Sequence, residues 1–167
     1  MENGSDRELA ETLQRFDREL PKFVDGRIDY TNSNEAPVVI IFLRYKDEIL
    51  LVKRSGRVAN YNGKWNTVAG FLDRVRPLEE DIYEELKEEL GLDRDQIGHI
   101  HKGKSHVLDD KSIGKKWIVF PVIVDTKELP TIKIDWEHTA FKWIKPKELA
   151  DYDTVTDLEK TYKLALE

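Results

Sequence analysis

The chain has 167 residues, 40% hydrophobic and 36% charged, with a formal charge of −6, which sets one domain, or one domain with a modest extension, and enough apolar side chains for a core. No apolar run approaches bilayer length, and Glu2, Asp6, Arg7 and Glu8 stand where a signal peptide would be basic and apolar, so the expectation is a cytoplasmic protein with no membrane role. The absence of cysteine excludes disulfide scaffolds, thiolate zinc sites and cysteine nucleophiles, and the acidic balance speaks against a duplex nucleic-acid partner while leaving room for an anionic small molecule bridged by metal.

Leu9, Leu13, Phe16 and Leu20 recur at helical steps and predict an amphipathic helix over 6–20, ended by Pro21. This makes 1–30 a helical extension, which either caps the sheet or builds a homodimer interface; the residues leave both open. A polar loop at 31–35 precedes a strand pair over 37–45 and 49–54 joined by a tight turn. Residues 55–64, with two glycines and two asparagines, read as a loop, and 65–68 as a short extended piece. Pro77 suits the first turn of a helix over 78–90, and Gly91 stops it. Strands follow over 96–107, 116–124 and 141–144, then a closing helix over 157–166. Together these pieces predict an α/β (α+β) fold, a mixed sheet covered by helices.

The helix over 78–90 holds an anomaly. Leu78, Ile82, Leu86 and Leu90 fall within one arc, with Tyr83 at its edge. Glu85 and Glu88 fall beside that arc, and Glu89 falls inside it. A buried carboxylate costs on the order of several kcal/mol unless compensated, and like charges at helical spacing cost a few tenths more per pair. Lys87 points to the other side. A solvated acidic face is the ordinary reading of such a helix. One or more divalent cations held by oxygen, Mg²⁺ or Mn²⁺ rather than Zn²⁺, would resolve both costs.

The context of the helix favours the metal. Gly70, five residues, Arg76, seven residues, then Glu84-Glu85-Leu86-Lys87-Glu88-Glu89-Leu90-Gly91-Leu92 resembles the Nudix box, G-x5-E-x7-R-E-U-x-E-E-x-G-U, with U a bulky aliphatic residue. Trp65-Asn66-Thr67-Val68-Ala69-Gly70 looks like the family's strand into the box, and Leu51-Val52-Lys53-Arg54 like the stretch upstream of it. The box positions of the family's first glutamate and its arginine hold Arg76 and Glu84. This exchange reverses the polarity of a structural pair and keeps the pair, so exchanging both residues back should recover most of what Arg76→Glu alone loses.

The resemblance implies a Nudix-type α/β/α sandwich over 31–167. It implies a divalent-metal-dependent pyrophosphohydrolase that cleaves a nucleoside diphosphate linked to another group, with Mg²⁺ or Mn²⁺ as cofactor. Glu85, Glu88 and Glu89 with the carbonyl of Ala69 would hold the metal, and Gly70 would let the backbone pass close to the substrate. Family members take as general base either a box glutamate, here Glu85 or Glu88, or a later loop carboxylate, for which Glu137 is the candidate; its ordinary reading is a loop carboxylate in water. Arg54 would meet a phosphate unless it is a plain strand-end cation, and Trp136 would stack on a base unless, like the other tryptophans, it packs. His99, His101 and His106 read as surface or packing residues. Two alternatives accompany the hydrolase: a nucleotide-binding regulatory module of the same fold, to which only the exchanged pair points, and an isopentenyl-diphosphate isomerase, which needs a cysteine this chain lacks.

Overall fold

The computed structural model describes residues 4–167. A long amphipathic helix, α1 (Gly4–Glu19), opens the chain. The strands are β1 (Glu35–Tyr45), β2 (Glu48–Arg54), β3 (Trp65–Asn66) and β4 (Val68–Phe71), followed by helix α2 (Leu78–Leu90). Strands β5 (Ile97–Lys102), β6 (His106–Asp110), β7 (Lys115–Thr126) and β8 (His138–Ile144) and helix α3 (Leu158–Ala165) complete the fold.

The strands form one mixed eight-stranded sheet. Its centre is β1, parallel to β7 on one edge and antiparallel to β4 on the other. The hairpin partner β2 carries β3 and β8, while β5 and β6 share the far edge of β7. Alternation along β1 splits its side chains between two cores. Val39, Ile41 and Leu43 face α1 and α2, which bring Leu9, Leu13 and Phe16 and Leu78, Ile82, Leu86 and Leu90. Phe42 faces the other way, onto Leu158, Tyr162 and Ala165 of α3. The result is the α/β/α sandwich the resemblance implies. No helix among the described residues is long and apolar enough to cross a membrane.

α2 runs as the periodicity predicts, and Gly91 ends it in the left-handed region at φ 73° with its N–H on the Lys87 carbonyl. α1 lies beside α2 on the same core. Lys102 ties the two together, its Nζ 2.6 Å from Asp6 and 2.5 Å from Glu79.

The strand expected over 96–107 is instead two strands with a break at 103–105. At Gly103 the chain turns against α3: its N–H bonds the Pro121 carbonyl and that of Lys104 bonds Leu164. A side chain there would stand 2.4 Å from the Ala165 Cα, so only glycine fits this crossing.

Candidate active site

α2 and β4 build the site between them. Gly70 pairs with Val39 across β1–β4, and a Cβ at this position would stand 2.2 Å from Glu85 Oε1. The glycine therefore leaves the space that the Glu85 carboxylate fills. Ala69, its neighbour, points to the opposite face of the strand.

Glu85 and Glu89 stand one helical turn apart, each in the other's field. Burial pushes Glu85 up to about 7, with Glu88, Glu137 and Glu84 adding repulsion. Glu89 is only 3% exposed, and burial, then Glu85, hold it well above the usual carboxylate range. Its Oε1 lies 3.5 Å from His138 Nε2, while its Oε2 has no hydrogen-bond partner among the described residues. Glu88 is exposed at the rim and is also raised, first by burial and then by Glu84.

The loop before β8 closes the site from the other side. Ser55 N–H bonds the Glu137 carbonyl at 2.8 Å, anchoring this loop to the end of β2. Burial, then Asp135, raise the Glu137 carboxyl. His138 is buried; its Nδ1 lies 3.1 Å from Asp135 Oδ1, and burial still pulls the imidazole below its ordinary value, so it is neutral at pH 7. Atoms of Glu89, Glu137 and His138 all lie within 4.8 Å of one another. Arg54 donates from Nε to the Asn60 carbonyl at 3.0 Å, and burial lowers its guanidinium against the pull of Glu137 and Glu89.

A divalent cation fits this donor set. Carboxylates from α2 and the β8 loop converge, burial and mutual repulsion raise each of them, and a buried Glu89 oxygen has no partner among the described residues. Glu85, Glu88 and Glu89 would hold the ion, with the Ala69 carbonyl, and Glu137 and His138 stand next to them.

A cleft of about 680 Å³ opens over the cluster, a volume suited to a nucleotide-sized ligand. Arg54, Ala69, Gly70, Glu85, Glu88, Glu137 and the exposed Trp136 line it, together with the apolar Ile40, Leu108, Trp117 and Val119. Glu89 lies behind this wall. Arg76 reaches Glu84, whose other side faces the cleft, and also Asp81, at 2.8 Å. Asp81 stands 60° outside the Leu78 edge of the apolar arc, between Glu85 and Glu88, so the rotation that puts Glu89 inside the arc leaves Asp81 beside it, and its burial comes from packing beyond the helix. No spacing rule brings His138 to Glu89, because the two meet only when β8 pairs with β2 beside α2.

The sequence matches the NUDIX domain family over residues 34–165. No curated protein matches it. Among solved structures, the MutT protein from Methanosarcina mazei Go1 is 22% identical, covering 77% of this chain and 91% of its own at a TM-score of 0.60. A C. elegans Ap4A hydrolase in a binary complex is 16% identical, covering 77% and 93% at 0.63. The NUDIX domain of Shewanella oneidensis NrtR, complexed with ADP ribose, is 16% identical, covering 80% and 89% at 0.63. With the family matched across most of its length and the glutamates of the box gathered under one cleft, the chain belongs to the NUDIX family and is a Nudix hydrolase in fold.

Proposed function

We propose that this chain is a divalent-metal-dependent pyrophosphohydrolase acting on a nucleoside diphosphate linked to another group. The observation that carries the reading is the pair of half-buried Glu85 and buried Glu89, brought together at a cleft with one Glu89 oxygen unpartnered among the described residues. A structural carboxylate pair of this kind is destabilising, whereas a metal-binding pair is not. The similar structures named for Ap4A and ADP ribose support a ligand of the nucleotide class.

When bound, Mg²⁺ or Mn²⁺ supplies neutralisation of the phosphates and acidification of the attacking water. Arg54, whose guanidinium has no carboxylate of the described residues within ion-pair distance, orients a phosphate at the end of β2. Glu137 stands off the helix with a raised carboxyl and accepts the proton of the water, Glu85 and Glu88 being the alternatives within the box. Water attacks one phosphorus, the bridging P–O bond breaks, and the leaving phosphate keeps the electron pair. Asp135 holds His138 in place behind Glu89.

The test is product release from a panel of nucleoside triphosphates, ADP-ribose, other nucleotide sugars, NADH and dinucleoside polyphosphates, with Mg²⁺ or Mn²⁺ present or chelated. The expected result is metal-dependent cleavage of one class, falling by 10²-fold or more in Glu88→Gln/Glu89→Gln, the order expected when general acid–base and electrostatic groups are lost. Nucleotide binding without any cleavage would make the chain a binding module and overturn the hydrolase.

A further inference from the structure

Resting on that reading, we infer that the planar base of the substrate sits against Tyr61 and Trp117 in the cleft, on a wall fixed by Asp110, and not against Trp136. The cleft is lined by two chemically different sets of side chains. Glu85, Glu88, Glu137 and Arg54 bring charge, while Tyr61 and Trp117, the latter paired with Leu108 across β6 and β7 and away from α2, bring aromatic surface. A nucleoside diphosphate combines the same two features, a charged diphosphate and an apolar ring face. Trp136, by contrast, is 57% exposed and adjoins Glu137, where the phosphates belong.

The aromatic wall is held in place by hydrogen bonds. Tyr61 donates its hydroxyl to Asp110 Oδ2 at 2.5 Å and accepts from Trp117 Nε1 at 3.3 Å. Asp110, 4% exposed at the end of β6, also takes Ser112 Oγ at 2.5 Å and Thr156 Oγ1 at 3.0 Å. One carboxylate thus fastens three segments around the two rings. Tyr61 itself occupies the left-handed region at φ 59°, a conformation a bulky L residue keeps only when its surroundings hold it there. Burial and the Asp110 bond push its phenol up to about 12, so it stays a donor at neutral pH.

With the indole N–H and the phenol both engaged inside the protein, the two side chains offer the cleft ring surface, which suits stacking on any base. Asn66 lines the same cleft, 6% exposed, and its Oδ1 has no partner among the described residues. Its amide is the polar group available to a base edge.

The test is tryptophan fluorescence titrated with AMP, GMP, CMP and UMP under chelation, so that binding is read without metal or turnover, in the wild type, Trp117→Phe and Trp136→Phe. The expected result is quenching by at least one monophosphate that disappears in Trp117→Phe and persists in Trp136→Phe. Alongside, Tyr61→Leu and Asp110→Asn should raise KM for the substrate found in the panel by tenfold or more while kcat changes less than threefold, a split that a merely structural loss would not give. Quenching that disappears in Trp136→Phe instead, or none in a wild type that cleaves nucleotides, overturns this inference and leaves the hydrolase standing. A wild type that neither quenches nor cleaves overturns both.

Discussion

Arg76 grips two carboxylates, and this changes what the exchanged pair can be expected to do. Its Nη2 reaches both Glu84 and, at 2.8 Å, Asp81, whose side chain is 3% exposed. Burial pushes Asp81 up to about 6 even with Arg76 beside it, so this carboxyl depends on its cation. Arg76→Glu should therefore cost about 3 kcal/mol or more, the order expected for stranding a buried charge. Exchanging both residues of the pair should recover only part of that, because the new carboxylate then faces Asp81; adding Asp81→Asn should recover the rest. Urea unfolding of the single, double and triple variants measures it, and full recovery in the double variant would mean that Asp81 carries no share of the pairing. The exchange of Arg76 and Glu84 and the misplaced Glu89 were legible in the sequence, since both are local to one helix and one loop. The partners Asp81 and His138 were not singled out: helix rotation leaves Asp81 beside the apolar arc, its burial coming from tertiary packing, and His138 needs a contact between segments 49 residues apart that only the sheet creates.

At the level of elements, the sequence predicted where helices and strands lie better than where they break. Periodicity identified α2, its stop at Gly91 and the long β7, because each has a pattern that repeats along its own length. The break between β5 and β6 has no such pattern. It exists because the C-terminal end of α3 presses on Gly103, with Leu164 O 2.6 Å and Ala165 Cα 2.4 Å from where a side chain would begin. Both are backbone atoms and cannot rotate aside. Gly103→Ala should accordingly cost on the order of 2–3 kcal/mol, as overpacking does, and should loosen α3, with faster amide exchange in 158–165 than elsewhere in the chain. An unchanged unfolding midpoint would show that α3 is not seated against this turn. The same geometry at Gly70 serves the site: there the space left by glycine holds Glu85, and the two glycines differ only in what fills the gap.

The molecule as a whole does not divide where the family match begins. That match starts at residue 34, yet Leu9, Leu13 and Phe16 of α1, with Ile28 and Tyr30 of the connection, are buried in the core that also holds Leu78, Ile82, Leu86 and Leu90 of α2. Phe16 packs edge-on to Tyr30 at 5.5 Å between ring centres, and the Tyr30 hydroxyl donates to the Leu72 carbonyl at 2.6 Å, just before the loop into α2. Burying three large apolar side chains contributes roughly 1.5–3 kcal/mol each, which together is comparable to the whole stability of an ordinary domain, about 5–15 kcal/mol. Removing residues 1–20 also strips Lys102 of Asp6, leaving a cation that is 11% exposed with Glu79 alone. A chain starting at residue 21 should therefore be largely unfolded, or unfold at a far lower urea concentration than the full chain. Because α2 shares the exposed core, its glutamates should lose divalent-cation affinity together with the fold. If the shortened chain instead keeps its unfolding midpoint and its metal affinity, α1 is an appendage laid over a self-sufficient domain. The packing predicts otherwise: the helix that carries the site is held from behind by the first helix of the chain.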